Sequence, residues 1–232
     1  MTADMTRKLP GNDRPASAED EAPAYTESAR AILDAAERLF STKGFSAVSM
    51  REIAAASGRH LASANYYFGS KVGLFEAAFL RRIVPVNARR LDLLERYRAA
   101  GRADLEDVMD AYLQPLFDPD EPDPAQAARM IMLFSKQLLS NPGEHEYLQE
   151  YYDEVARAFI AAIQAARPGL TPTAVVWGYN YMIGILVFTL AGQENLARIP
   201  AGTAELVHAD SCPQETIARL KRFICAGIDS LG

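Results

Sequence analysis

The sequence predicts an all-α protein with a small N-terminal part and a larger helical bundle after it. From Thr26 onward, apolar residues recur at intervals of three and four, which is the period of an amphipathic helix. Period-two alternation is nowhere sustained, so no sheet is predicted. Glycine and proline interrupt the helical pattern at short intervals up to about residue 70 and at longer intervals afterwards.

Length and composition place the chain among ordinary globular proteins. It has 232 residues, of which 49% are hydrophobic and 23% charged, so it can bury a core and is neither globally disordered nor fibrous. Two cysteines, Cys212 and Cys225, cannot form a disulfide scaffold. No signal peptide is recognisable, and a reducing cytoplasm is therefore expected.

The charge is unevenly distributed. The segment from Thr26 to Lys71 contains six lysines and arginines and four acidic residues, so its charge is +2. Because the net charge of the chain is −6, the remaining residues carry −8. The net charge therefore does not exclude a nucleic-acid partner for the N-terminal part, because local charge decides that question.

Short helices are predicted first. Residues 1–24 are polar and without periodicity, which predicts a disordered tail. A first helix follows the capping residues Thr26 or Ser28 and ends at Lys43 and Gly44. The next helices are a brief one between Ser49 and Gly58, one over about 60–67, and one that begins at Lys71 after the cap Ser70.

The later helices are longer. The fourth is predicted over 71–99 with a kink at Pro85, because proline removes a backbone hydrogen bond inside a helix. The remaining helices are predicted over about 104–117, 124–139, 144–166, 172–192 and 213–230.

One segment is long and apolar enough to cross a bilayer. Residues 174–192 carry no charge, but they contain Asn180, two tyrosines and three glycines, and no basic cluster flanks them. A buried core helix that is apolar on every side is predicted, and no membrane partner.

Residues 49–68 have the pattern of a helix-turn-helix. Such a motif needs a small residue where two short helices touch and a glycine in the turn, and Ala54 and Gly58 supply them. Ile53 and Ala64 are apolar anchors. Short or polar groups on the outward face of the second helix suit contact with base edges: His60, Leu61, Ser63, Asn65 and Tyr67.

Residues 28–75 resemble the N-terminal DNA-binding domain of the TetR family of bacterial transcriptional regulators. The matching stretches are ARAILDAAERLFSTKGFSAVSMREIAAASG and NYYFGSKVGLF, and the most specific part is the aromatic cluster that runs into Phe68-Gly69-Ser70-Lys71. The resemblance implies a helix-turn-helix domain over 25–70 and a ligand-binding and dimerisation domain over 71–232. It also implies a homodimer, a near-palindromic double-stranded operator and a small-molecule effector.

The resemblance assigns DNA contacts position by position. Ser49 and Arg51 match residues that face the DNA backbone, and Tyr66 and Lys71 match residues that bind phosphate. The alternatives are packing for Tyr66 and Tyr67 and a solvated helix start for Lys71.

Three positions depart from the family pattern. Arg59 stands where an apolar residue is usual, His60 where a hydroxyl or amide cap is usual, and Tyr67 where histidine is common. Arg59 is therefore open to three readings: an extra phosphate contact, a local repacking or a plain surface charge. His60 is either a base contact or a capping residue only.

No metal, cofactor or enzyme motif is recognisable. The three histidines, His60, His145 and His208, are far apart, and no cluster has metal-ligand spacing. Nucleophile elbows and phosphate-binding loops are missing. A ligand-responsive repressor is predicted; an activator or dual regulator, a helical-bundle enzyme and an interaction module that no longer binds DNA remain alternatives.

The dimer surface is predicted on the last two helices. One recognition helix reads too few base pairs, so a two-fold dimer is expected. An apolar stripe marks the last helix and either faces a second subunit or packs within its own: Ile217, Leu220, Ile224 and Ile228.

The effector site is predicted between the helices near 124–139 and 172–192. A mostly apolar ligand with one polar end is expected, and the alternative is a solid core. The candidate lining residues are Met130, Phe134, Gln137, Trp177, Asn180, Tyr181 and Phe188.

Overall fold

A computed structural model describes residues 25–101, 104–118, 120–121, 124–140, 149–191 and 213–232. In these ranges the chain forms α-helices and one short 3-10 turn, and no strand. The helices are α1 (Glu27–Lys43), α2 (Met50–Ala56), α3 (Leu61–Phe68), α4 (Lys71–Ala99), α5 (Leu105–Leu113), α6 (Pro124–Ser140), α7 (Gln149–Ala166), α8 (Pro172–Ala191) and α9 (Pro213–Asp229). The all-α prediction is confirmed.

Side-chain caps begin the first two helices where the sequence predicts them. The Oγ1 of Thr26 accepts a hydrogen bond from the N–H of Ala29 at 3.2 Å. Likewise, the Oγ of Ser49 accepts one from the N–H of Glu52 at 3.2 Å. Each cap satisfies a donor that has no partner inside its own helix. Local sequence therefore fixes both helix starts.

The turn between α2 and α3 depends on Gly58. Its φ is +65°, a conformation that glycine adopts without steric cost. The N–H of Gly58 donates to the carbonyl of Ala55 at 3.2 Å, and that of Arg59 to the carbonyl of Ala54 at 3.0 Å. This pair of bonds is a Schellman motif, which ends α2 and turns the chain into α3.

The chain divides into two compact units inside α4, between Arg82 and Ile83. This division lies later than the predicted boundary at residue 70, because the first turns of α4 complete the core of the N-terminal unit. The ring of Phe75 packs against Phe40 at 5.4 Å and against Phe45 at 5.0 Å between centroids. Pro85, where the sequence predicts a kink, lies inside α4.

A buried carboxylate ties α1 to α4 within the N-terminal unit. Glu37 is only 4% exposed. It accepts hydrogen bonds from the Nε of Arg81 at 2.8 Å and the Nη2 of Arg82 at 2.7 Å. Two guanidinium partners compensate for burying the charge, so this cluster fixes α1 against the first half of α4.

The second unit is a helical bundle. Within it α6 and α7 pack against α8, α5 packs against α7, and α9 packs against both α5 and α8. The end of α9 lies beside the first half of α8. A Cβ added at Gly178 would lie 3.2 Å from the side chain of Ile228. The glycine therefore allows these two helices to approach closely.

Helix α8 is buried on one side only, which corrects the prediction of a fully buried core helix. Val175, Met182, Leu186 and Leu190 are almost inaccessible to solvent. The opposite side is exposed, although it is equally apolar. Among the described helices α8 alone is long and apolar enough to cross a membrane, with a mean hydropathy of 1.6 over its most apolar stretch.

Some predictions lie outside the described residues. These are the disordered tail over 1–24, the start of the helix predicted over 144–166, and the surroundings of His145, His208 and Cys212.

Candidate functional site

Helix α3 presents a polar face to solvent from a small buried base. Ala64 and Phe68 are buried and anchor the helix, whereas Asn65 is exposed and Tyr66 is 77% exposed. Ser63 and Tyr67 are half-buried. A short helix anchored by two apolar residues, with polar groups on its outer side, has the form needed to enter a major groove.

Ser49 and Arg51 lie at the start of α2, as predicted. Ser49 is exposed, and its hydroxyl can still donate to a further acceptor while it caps the helix. Arg51 is exposed and forms no ion pair with a described residue. A helix N-terminus with a hydroxyl and an unpaired cation suits contact with phosphate.

The residues that depart from the family pattern have local roles in the structure. The Nη2 of Arg59 donates to Glu27 at 3.0 Å, which links the turn to the start of α1. His60 is exposed and occupies the N-cap position of α3, but its side chain makes no capping hydrogen bond. Arg59 is therefore an ion-pair partner within the chain, and its contact with DNA stays a prediction.

Lys71 is engaged inside the N-terminal unit, which the sequence does not predict. Its Nζ donates to the carbonyls of Phe45 at 3.1 Å and Val48 at 3.0 Å. The ammonium also lies 4.4 Å from the centroid of the Phe45 ring. Lys71 thus holds the link between α1 and α2, and only one of its three N–H groups is left for a phosphate.

We expect Lys71→Met to destabilise the protein by about 2–3 kcal/mol, because two hydrogen bonds from a charged donor and a cation–π contact are lost. Urea unfolding measures this change. The matched control is Lys43→Met, which removes an exposed ion pair with Glu52 and should cost no more than about 0.5 kcal/mol. Equal losses for the two variants would contradict the assignment.

The residues predicted to line the effector site differ in burial between α6 and α8. On α6, Met130 and Phe134 are buried and Gln137 is half-buried. On α8, however, the predicted lining residues are exposed: Trp177, Asn180, Tyr181 and Phe188. The buried side of α8 carries other residues instead: Val175, Met182, Leu186 and Leu190. The α8 part of the predicted pocket is therefore wrong.

The predicted dimer stripe on α9 is wrong for three of its four residues. Leu220, Ile224 and Ile228 are 6%, 1% and 2% exposed, because they pack inside their own subunit. Ile217 is half-buried. The alternative that the stripe packs within its own chain is the correct one.

A different apolar surface lies on the same two helices. Trp177, Tyr181 and Phe188 on α8 are 54%, 53% and 69% exposed, and Phe223 on α9 is 66% exposed. The rings of Trp177 and Tyr181 pack on each other at 5.6 Å. We call these four residues the α8–α9 apolar face. Large aromatic side chains exposed on a surface are typical of a protein–protein contact.

Sequence reasoning missed a polar cluster buried in the second unit. Arg90 is 3% exposed and donates from its Nε to the carbonyl of Tyr112 at 2.9 Å and from its Nη1 to Asn87 at 3.0 Å. Its guanidinium lies 3.7 Å from the centroid of the Tyr112 ring. Burial raises the pKa of both Tyr152 and Tyr179, and both interact electrostatically with Arg90. We call this set the arginine–tyrosine cluster: Asn87, Arg90, Tyr112, Tyr152 and Tyr179.

The spacing of buried residues in α4 could have revealed Arg90. Val86, Arg90 and Leu94 recur every four residues, and all three are buried. An arginine on the apolar side of a helix is unusual, because burying a charge is costly.

Other reactive groups are inert or absent in the described part of the chain. Burial raises the pKa of the Cys225 thiol to about 11, so the thiol stays protonated and unreactive at neutral pH. No group of three or more potential metal ligands lies together among the described residues.

Two family models match the chain. The model described as "Bacterial regulatory proteins, tetR family" matches residues 32–78. The model described as "Tetracyclin repressor-like, C-terminal domain" matches residues 110–227, which is about half of the chain. One match lies in each of the two structural units.

Solved structures share the fold at low sequence identity. The TetR-family regulator PfmR from Thermus thermophilus aligns with a TM-score of 0.59 and 15% identity over 88% of this chain and 96% of its own. A regulator from Aquifex aeolicus gives 0.52 and 16% over 86% and 98%. A TetR-family regulator from Rhodococcus sp. gives 0.51 and 18% over 89% and 99%. A comparison with curated proteins gave no match.

Proposed function

The chain belongs to the TetR family, and from this premise we propose that it is a cytoplasmic repressor that binds a near-palindromic operator as a homodimer and leaves it when a small molecule binds. The proposal combines three functions: base reading by α3, dimerisation, and effector binding in the second unit. The family match and the helical architecture point to a regulator rather than an enzyme.

The exposed polar face of α3 is the observation that carries the DNA-binding proposal. Asn65 is an amide that can bond adenine bidentately, and Ser63 can bond several bases. Tyr66 is the most exposed large side chain of the helix, and its hydroxyl suits a phosphate. Arg51 adds an exposed cation at the start of α2, without an ion-pair partner among the residues that the structure describes.

The α8–α9 apolar face supports the homodimer. Its aromatic residues are exposed in the single chain and lie on the two helices expected to pair. A second copy would cover them by forming a four-helix bundle, two helices from each subunit, with two-fold symmetry. The two recognition helices would then meet two related half-sites.

The proposed release mechanism is a shift of population. The effector would favour a conformation whose recognition helices are spaced wrongly for the operator. A hundredfold loss of operator affinity needs about 2.7 kcal/mol of differential effector binding. Helix α4 is continuous from the N-terminal unit into the second unit, so it is the element along which we propose that the change passes.

A gel-shift assay with the upstream region of the protein's own gene tests the DNA-binding proposal. We expect a discrete complex that survives a large excess of unrelated duplex. The control is a Tyr66→Ala, Asn65→Ala double variant, whose exposed side chains can be removed without loss of core packing. Binding that unrelated DNA competes away equally well would argue for non-specific charge attraction only.

A further inference from the structure

We propose that the arginine–tyrosine cluster binds the negative end of the effector, and that the effector is an apolar carboxylic acid with a single charge. This inference rests on the proposed function, since it names the class of molecule that a ligand-responsive regulator would sense. It depends on two observations: Arg90 donates hydrogen bonds to neutral groups, and it has no carboxylate partner among the described residues.

Arg90 is a buried cation without a carboxylate partner among the described residues. Its two hydrogen bonds go to a neutral carbonyl and a neutral amide. In the N-terminal unit, by contrast, Arg81 and Arg82 are both paired with the buried carboxylate of Glu37. A guanidinium has five N–H groups, so three of those on Arg90 are left without a partner in the described part of the chain.

The surroundings stabilise the cation without neutralising it. The carbonyl of Tyr112 belongs to the last turn of α5, where the helix dipole places partial negative charge. The Tyr112 ring gives a cation–π contact at 3.7 Å. Both effects make a buried arginine tolerable before the effector binds, and neither uses the remaining N–H groups.

The neighbouring groups suit the head and the body of an acid. Tyr152 and Tyr179 lie near Arg90, and burial raises the pKa of their hydroxyls, which stay protonated; Tyr152 also bonds Ser135, and Tyr179 bonds Tyr112. Phe159 packs against Tyr112 at 4.9 Å and is completely buried, so the cluster continues into an apolar interior. Tyr179, and not Tyr181, is thus the tyrosine of α8 that faces the bundle interior.

The charge balance favours a carboxylate over a phosphate. One cation can neutralise one negative charge, and a phosphate dianion would keep an uncompensated charge in an apolar interior. The planar fork of the guanidinium also matches the two oxygens of a carboxylate. A carboxylic acid with an aliphatic or aromatic body fits both conditions.

Thermal unfolding of the full chain tests the inference with octanoate, decanoate, phenylacetate and cinnamate against the primary amide of each acid. We expect at least one acid to raise Tm by about 5 °C at roughly a hundredfold excess over its dissociation constant. Its amide, which has the same body and no charge, should raise Tm by about 1 °C or less. Equal effects of acid and amide, or no effect of any acid, would overturn the inference.

The variants Arg90→Met and Arg89→Met locate the site. Arg89 is the adjacent arginine, exposed and paired with Asp118, so its replacement should leave the acid-induced shift intact. Arg90→Met should abolish that shift, and a full shift in this variant would refute the assignment. If Arg90→Met does not fold, Arg90→Lys keeps the charge without the fork and should lower acid affinity about tenfold or more.

Failure of this inference and failure of the proposed function give different results. Operator binding that is released only by neutral or cationic compounds would leave the repressor proposal intact and refute the carboxylate site. A rise in Tm that the acid causes only when Arg90 is present, together with no sequence-specific DNA binding, would support the carboxylate site and refute the repressor proposal.

Discussion

Phe188→Glu and Trp177→Glu should each give a folded monomer that has lost at least about a hundredfold of its operator affinity. Both side chains are more than half exposed in the single chain, so glutamate costs the subunit little. In the dimer, each replacement places two carboxylates in an apolar contact, where their desolvation is costly. A monomer engages one half-site and loses the gain of binding two at once. Analytical ultracentrifugation and gel-shift titration measure the two effects.

Ile224→Glu is the matched comparison on α9. Ile224 is 1% exposed and packs inside its own subunit, so the variant should unfold the second unit rather than separate intact subunits. Circular dichroism distinguishes the two outcomes. A folded monomer from Ile224→Glu, or a dimer that survives Phe188→Glu, would contradict the assignment of the dimer contact to the α8–α9 apolar face.

Asn65→Ala should weaken binding to the operator by about 2–6 kcal/mol, because a base contact of about 1–3 kcal/mol is lost in each half of a symmetric dimer. Stability should not change, since Asn65 is exposed. Affinity for unrelated DNA should also stay the same. Fluorescence anisotropy with operator and scrambled duplexes measures the difference.

Arg51→Ala serves as the contrasting variant for that experiment. Loss of the Arg51 side chain should weaken binding to all sequences alike. The slope of log affinity against log salt concentration should fall in magnitude by about one for each phosphate contact removed. If Asn65→Ala behaved in this uniform way, Asn65 would be a backbone contact. An unchanged salt dependence in Arg51→Ala would remove Arg51 from the interface.

Local chemistry explains why the helices could be predicted from the sequence. Capping by Thr26 and Ser49 and the turn at Gly58 act within a few residues, so each leaves a pattern in the sequence. The helix predicted over about 60–67 is likewise present, as α3. These features do not depend on which elements meet in the folded chain.

The orientation of α8 could not be predicted, because it is apolar on every side. Periodicity selects a buried face only where one side is polar, and in α8 both Leu186 and Phe188 are apolar although only Leu186 is buried. On α9 the spacing predicts the apolar stripe through Ile224. It does not predict what the stripe packs against, because a helix of the same chain and a second subunit offer the same apolar contact. Trp177, predicted to line a buried pocket, is therefore exposed, and Ile224, predicted at a subunit contact, is buried in its own subunit.

The position of Lys71 shows the same limit at a single residue. The family pattern implies a phosphate contact, which stays a prediction, and the structure adds two hydrogen bonds from the ammonium to the carbonyls of Phe45 and Val48. These two bonds depend on the path of the link between α1 and α2, which a lysine at a helix start does not reveal.

Selection of bound duplexes from a random library by the purified full chain tests the central proposal most directly, since it needs no knowledge of the operator. We predict enrichment of one near-palindromic sequence whose half-sites lie about one helical turn apart or a multiple of it. The Asn65→Ala variant should relax the preference at particular base pairs. Recovery of unrelated sequences, with binding that falls only with salt concentration, would contradict the proposal that this protein is a sequence-specific regulator.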